Sequence, residues 1–120
     1  MWTDDWIGKG YEINGRGPRK YDCLGLFLAL HKARFNRSIH DPRSNEESVV
    51  RPVLSPFFQS VQSAREGDAI LCLAAGQLHI GFALNQSDML HVHKDLVGVC
   101  IEDFTSPRWA RRLIGIYRYA

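Results

Sequence analysis

The sequence contains few cysteines, and no two of them lie close together. Cys23, Cys72 and Cys100 make an odd number at wide spacing. This pattern argues against a disulfide framework, and also against the zinc and redox sites that are built on a Cys-x-x-Cys pair. We therefore expect three free thiols.

Long apolar runs and concentrated charge are missing as well. The longest apolar stretch, Leu24 to Leu30, is far shorter than the ~20 residues of a membrane span, and Asp4 and Asp5 stand where a signal peptide would be basic. The net charge is only +2, and the basic residues are scattered except for one cluster at 108–112. A nucleic-acid-binding protein would carry a basic face or stripe. We therefore expect no signal peptide, and neither nucleic acid nor a membrane as a partner.

The chain has the length of one domain. Its 120 residues match the commonest domain size, and no repeat, low-complexity tract or linker divides residues 1–120. Apolar residues such as Leu24 and Phe27 recur at helical spacing and predict a helix that ends near Phe35. Asp22 stands directly before this helix, in a good N-cap position.

Strand-like runs fill the second half of the sequence. From Asn36 to Arg65, prolines interrupt short polar segments, which predicts brief helices or loops. A Gly-Asp turn at 67–68 then leads into five short apolar runs: Ala69–Leu73, Leu78–Leu84, Met89–His93, Val97–Ile101 and Leu113–Tyr119. A helix followed by strands predicts an α+β domain, in which the helix packs on one face of a five-stranded antiparallel meander.

Cys23 occupies a position suited to a nucleophile. At the start of a helix, a thiol meets unpaired backbone N–H groups and the positive end of the helix dipole, which favour the thiolate and lower the pKa. The usual alternative for a free cysteine is a buried structural role. Cys72 and Cys100 fit that alternative, because each lies inside an apolar strand.

A thiolate catalyst also needs a base and a group that orients the base. We expect His31 and His40 to be solvated surface residues, whereas His79, His91 and His93 fall on two successive predicted strands. A turn between these strands would form a hairpin and could bring a second imidazole beside His79. For each histidine alone, a half-buried structural role explains the position equally well.

The order and spacing of several motifs resemble the NlpC/P60 cysteine peptidases over nearly the whole chain. The motifs are a Trp-Ile-Gly-x-x-Tyr segment (Trp6, Ile7, Gly8, Tyr11), then Asp22-Cys23-Leu24-Gly25-Leu26, the turn Gly67-Asp68, His79-Ile80-Gly81-Phe82, and Leu90-His91. The resemblance implies a papain-like fold with Cys23 as nucleophile, His79 as base in a resting ion pair, and His91 as the residue that orients His79. It also implies that Tyr11 reaches the active site with its hydroxyl.

Three positions qualify this assignment. Leu24 replaces the usual serine after the nucleophile, which removes a hydroxyl that could position substrate. His93 adds a second imidazole on the same strand face as His91, so that the orienting role could be shared. Asp22 is assigned first to capping the helix, although a carboxylate beside the site could also bind a substrate amine.

The resemblance implies a cysteine peptidase that cuts stem peptides of peptidoglycan in the bacterial cell wall and requires no metal or organic cofactor. The stretch 107–118 is similar to phage tail-associated members, so we expect a protein made in the bacterial cytoplasm that reaches the wall with a phage tail or after lysis. Two alternatives remain: a structural tail-tip protein that uses the hydrolase fold for assembly, and a Cys-His amidase or acyltransferase that acts on another substrate.

Overall fold

One helix precedes an antiparallel sheet and packs on one of its faces. The computed structural model describes residues 1–41 and 56–120. Its elements are a 3-10 turn (Trp2–Asp5), β1 (Gly10–Tyr11), β2 (Lys20–Tyr21), α1 (Cys23–Phe35), β3 (Phe58–Val61), β4 (Ala69–Ala74), β5 (Gln77–Ala83), β6 (Asp88–His91), β7 (Cys100–Asp103), α2 (Pro107–Ala110) and β8 (Leu113–Tyr119). The α+β class is confirmed. In the described ranges, no helix is long and apolar enough to span a membrane.

The helix α1 begins and ends where its local signals place it. Asp22 is the N-cap, and its Oδ1 accepts a hydrogen bond of 2.6 Å from the Gly25 N–H. The helix ends at Phe35. The next residue, Asn36, has a left-handed conformation (φ 51°), and its N–H donates back to the Lys32 carbonyl at 3.1 Å. Asparagine tolerates this conformation better than most residues, which makes it a common helix terminator.

The sheet has six strands rather than the five predicted, in the order β3-β8-β4-β5-β6-β7. The extra strand, β3, lies in the stretch where we expected brief helices or loops. Residues 42–55 of that stretch lie outside the described residues. Only Phe58 of β3 is buried, so the segment has little strand pattern of its own, and it forms by pairing with β8. Because β8 lies between β3 and β4, only β4 to β7 form a meander.

The strand predicted at Val97–Ile101 also begins later, at Cys100. Val99 pairs elsewhere: its N–H donates to the Lys9 carbonyl at 2.7 Å, and its carbonyl accepts from the Gly8 N–H at 2.9 Å. The segment before β7 is therefore held against the N-terminal loop. The partner in this contact is ninety residues away in the sequence.

Alternate residues of the strands face two apolar clusters. Ile80 and Phe82 of β5 belong to the cluster that contains the buried side of α1, whereas Ala83 belongs to the cluster on the other face, with Trp109 of α2. His79 shares the Ala83 face by alternation, and its ring stacks on Trp109 with centroids 5.8 Å apart. The candidate site therefore lies between these two apolar clusters.

Candidate active site

Cys23 is the first residue of α1, and a tight packing contact fixes the position of the helix start. The Asp22 N–H donates to the Gly15 carbonyl at 3.1 Å. That same carbonyl oxygen lies against Gly25, where a Cβ would overlap it. The glycine of the Asp-Cys-x-Gly motif is therefore required because the first turn of the helix touches the backbone of the preceding loop.

The thiol of Cys23 approaches the strand that carries His79. β5 pairs with β6 through only two residue pairs, Phe82 with Leu90 and Ala83 with Met89, so the ladder does not extend to Ile80. The backbone N–H of Ile80 lowers the pKa of Cys23, since it can donate to the sulfur of a thiolate. Since Ile80 directly follows His79, this contact places the helix start beside the predicted base.

Burial of the site works against the predicted ionisation of Cys23. Burial raises the pKa of Cys23 to about 11, and it outweighs the N–H groups of Ile80 and Leu24, which act in the opposite direction. Burial, followed by the charges of His91 and His93, holds the pKa of His79 well below its usual value. Both shifts favour a neutral thiol and a neutral imidazole, because removal of either charged group from water is unfavourable.

The histidines and a glutamate form one hydrogen-bonded chain. His79 Nε2 lies 2.8 Å from His91 Nδ1, and His91 Nε2 lies 2.9 Å from Glu102 Oε1. His79 and His91 are both 1% exposed. Glu102 on β7 stands opposite Met89, in the strand that pairs with the one carrying His91. The structure thus brings together His79 and His91, as predicted, and adds a carboxylate that sequence reasoning missed.

The other ring nitrogen of His79 has no partner. Among residues 1–41 and 56–120, His79 Nδ1 is the one buried side-chain nitrogen or oxygen without a hydrogen bond. No hydrogen bond joins it to Cys23, but catalytic hydrogen bonds are often long in the absence of substrate. A buried acceptor without a partner is costly in a purely structural histidine. This arrangement is suited to a base that waits for a proton.

The remaining histidines have other environments. His93 lies outside β6, and its Nδ1 accepts from the Asp95 N–H at 3.2 Å, while its ring stands 5.4 Å from that of His79 without a hydrogen bond. His40 is exposed, as predicted. The prediction for His31 is wrong: it is fully buried, and its Nε2–H donates to the Gly67 carbonyl at 2.8 Å.

Tyr11 and Asp22 lie near the helix start in different ways. Tyr11 of β1 pairs with Tyr21 of β2, one residue before the cap. Burial raises the pKa of Tyr11, and the ionised forms of Cys23 and Asp22 raise it further. Asp22 is buried, with one oxygen on the helix cap and the other accepting from Arg16 Nη1 at 2.8 Å. These contacts favour the capping role for Asp22.

One group of side chains has the composition of a metal site. In the described part of the chain, His91, Cys100 and Glu102 place three potential ligand atoms within 4.8 Å of one another. Two of these atoms, His91 Nε2 and Glu102 Oε1, already form the 2.9 Å hydrogen bond described above. A metal ion would have to replace that bond, so the arrangement fits a hydrogen-bonded chain better than a metal centre.

The NlpC/P60 family model matches residues 8–118 of the chain. Three similar solved structures are an NLP/P60-family protein similar to a lipoprotein from Staphylococcus aureus (23% identity, TM-score 0.70), NlpC2 from Trichomonas vaginalis (21%, 0.73), and the NlpC/p60 domain of the peptidoglycan hydrolase SagA (18%, 0.68). The chain is covered to 96%, 98% and 98%, respectively. It spans 38% and 44% of the first two chains and 92% of the SagA domain. No curated protein gives a significant match.

Proposed function

The chain belongs to the NlpC/P60 family, and from this premise we propose that it is a cysteine peptidase that hydrolyses stem peptides of peptidoglycan. One observation carries the proposal. The buried His79 has one ring nitrogen bound to His91 at 2.8 Å and the other unpaired, beside the strand residue whose N–H meets Cys23. This arrangement supports the proposal, because nucleophilic catalysis requires a nucleophile, a base and a group that orients the base to lie together.

The reaction begins from the neutral pair. As the sulfur of Cys23 attacks the peptide carbonyl, its proton passes to His79 Nδ1 and a tetrahedral oxyanion forms. The imidazolium then donates this proton to the leaving amine, the C–N bond breaks and a thioester remains. Water attacks the thioester and gives a proton to His79, which returns it to the departing sulfur. The proton that leaves with the amine is thus replaced by one from water, and the neutral pair is restored at the end of the cycle.

Two donors serve the oxyanion in this proposal. The first is the backbone N–H of Cys23 at the open end of α1, and the second is the hydroxyl of Tyr11, whose pKa reflects the proximity of Cys23. Loss of one such donor typically costs ~10²–10³ in turnover. The phenol suits this role because it donates a hydrogen bond while neutral.

The substrate class rests on the family and on SagA, a structural neighbour that is a peptidoglycan hydrolase. Within the stem peptide, the bond between D-glutamate and the diamino acid is the cleavage site that the family resemblance favours. Association with phage tail proteins stays a prediction from the similarity at 107–118, as does delivery to the wall by that route.

Digestion of purified sacculi tests the proposal, with the released fragments identified by mass spectrometry. We expect the wild-type protein to release peptides cut within the stem, and Cys23→Ala to release none. Cys72→Ala is the matched control, because it removes the buried thiol opposite His79 in the β4-β5 pair and leaves Cys23, His79 and His91 in place. Inactive wild-type protein with an unchanged fold would favour the structural alternative. Cys23-dependent turnover of other amides or esters, but not of sacculi, would favour the amidase or acyltransferase alternative.

A further inference from the structure

Glu102 lies behind the two histidines and is held on both of its oxygens. Oε1 accepts from His91 Nε2 at 2.9 Å, and Oε2 accepts from the indole N–H of Trp109 at 3.0 Å. Arg108 Nη1 lies 3.6 Å from Oε2. Burial alone would raise the pKa of Glu102, but the donors from Trp109 and His91, together with the charge of Arg108, hold it below its usual value. Glu102 is therefore an ionised carboxylate.

An ionised carboxylate can only accept hydrogen bonds, and this fixes every proton in the chain. His91 Nε2 must carry a hydrogen to donate to Glu102, so that in neutral His91 the Nδ1 atom is an acceptor. His79 Nε2 must then carry a hydrogen to donate to His91 Nδ1. The remaining nitrogen, His79 Nδ1, is left with a free lone pair, which is the state that can take a proton from Cys23.

The reverse arrangement would block the site. If His91 carried its hydrogen on Nδ1, it would donate to His79 Nε2, and His79 would carry its own hydrogen on Nδ1. That atom could not accept the proton of the thiol. The 2.8 Å distance between the two histidines is compatible with either arrangement, so the group beyond His91 is what distinguishes them.

We propose that Glu102 is a positioning residue that sets the tautomers of His91 and, through it, of His79, so that the base presents a lone pair to Cys23. Trp109 supports this role in two ways. Its N–H holds the second carboxylate oxygen of Glu102, and its ring packs against both histidines. The ring stacks on that of His79 and meets that of His91 edge-on, with the Trp109 and His91 centroids 5.3 Å apart. The inference rests on the proposed function for its catalytic consequence, but the tautomers themselves are independent of it.

Glu102→Gln should reverse the chain while keeping the shape of the side chain. The Trp109 N–H is a donor only, so it takes the amide oxygen, and the amide NH2 must then face His91 Nε2. His91 becomes an acceptor at Nε2 and a donor at Nδ1, which places a hydrogen on His79 Nδ1. The second substitution, Trp109→Phe, removes the donor that fixes the amide. In the double variant, the amide can turn its oxygen back toward His91 and restore the original tautomers.

The experiment reads the tautomers from nitrogen chemical shifts of ¹⁵N-histidine in the full chain, and turnover in parallel. For the wild type we expect hydrogens on Nε2 of both His79 and His91. For Glu102→Gln we expect hydrogens on Nδ1 and a loss of turnover of up to about 10⁴-fold, the loss that a wrong histidine tautomer causes in a serine protease. The double variant should regain the wild-type shifts and part of the turnover relative to Glu102→Gln, with Trp109→Phe alone as its reference.

Wild-type protein with a hydrogen on His79 Nδ1 would overturn the inference, whether or not the variants fold. Glu102→Gln with wild-type shifts and turnover would also overturn it. If the wild type hydrolyses no substrate while the shifts change as described, the proposed function has failed and the positioning role of Glu102 stands.

Discussion

Substitution of Asp22 separates its two candidate roles, the helix cap and a binding site for a substrate amine. One carboxylate oxygen caps α1 through the Gly25 N–H at 2.6 Å, and the other pairs with Arg16 at 2.8 Å. Asp22→Asn keeps an oxygen for the cap and loses the charge. Asp22→Ala loses both interactions.

The contacts give different magnitudes for the two variants. Loss of an N-cap side chain costs about 1 kcal/mol, and loss of a hydrogen bond to a charged group costs about 1.5 kcal/mol. Arg16 keeps its two bonds to Asp41, at 2.7 and 3.0 Å, so no buried charge is left unpaired. We therefore expect Asp22→Ala to lose about 2.5 kcal/mol, or about 10 °C in Tm for a domain of this length, and Asp22→Asn less than half of that.

Thermal unfolding and steady-state kinetics on a stem-peptide substrate measure both roles. The matched control is Ser106→Ala, since Ser106 is the N-cap of α2 but its side chain makes no capping hydrogen bond; its Tm should not change. For Asp22→Asn, we expect KM to stay near the wild-type value. A large rise in KM with an unchanged Tm would refute the capping account and assign the carboxylate to substrate binding.

Four further outcomes follow from the site and its surroundings. Alkylation of Cys23 by iodoacetamide should rise steeply above neutral pH, because burial raises its pKa to about 11; a rate that is already high below neutral pH would indicate a resting ion pair. His91→Ala should lower kcat strongly and His93→Ala only mildly, since His91 hydrogen-bonds His79, the proposed base, and His93 does not; the reverse ranking would contradict this. Tyr11→Phe should lower kcat with KM and Tm nearly unchanged, and unchanged kinetics would remove the phenol from the site. Burial lowers the pKa of His31 from 6.5 to about 4, so between these pH values the unfolded chain binds a proton that the folded chain does not, and the stability of the fold decreases as the pH drops. In urea unfolding over that pH interval, His31→Gln should therefore lose less stability than the wild type. An equal loss in both proteins would contradict this link between His31 and stability.

The features predicted correctly depend on short-range signals. Asp22 and the apolar spacing after it define the start of α1, and the end at Phe35 is confirmed. The alternation of strand residues places His79 and His91 in reach of each other, and the structure joins them by a hydrogen bond. Each of these inferences needs only a few neighbouring residues.

His31 was predicted wrongly although a signal was available. It lies four residues after Phe27 and four before Phe35, on the same stripe of α1. Their rings contact it, with centroids 4.5 and 5.4 Å away. The position of His31 on this apolar stripe is therefore the signal that indicates its burial.

Other features depend on contacts that are distant in the sequence. β3 pairs with β8, and Phe58 stands opposite Tyr119 in this pair. The few apolar residues of β3 do not reveal the pairing. Glu102 is one of two carboxylates in the short strand β7, and its role depends on the pairing of β7 with β6. A charged residue inside a strand that pairs with a histidine strand is the signal that could have identified it.

The pKa of Cys23 shows a third limit. The helix start correctly predicts backbone N–H groups around the sulfur, but the degree of burial is a property of the packed structure. In this site, burial is the larger effect and raises the pKa to about 11. The sign of the shift therefore could not be predicted from the position of the cysteine alone.

The most direct test of the account is the identity of the acylated residue. Wild-type protein mixed with a peptidoglycan stem peptide, quenched in acid during turnover and mapped by mass spectrometry, should carry the acyl group as a thioester on Cys23. Cys23→Ala should carry no acyl group and release no product. An acyl group on Cys72 or Cys100, or hydrolysis that survives Cys23→Ala, would contradict the account.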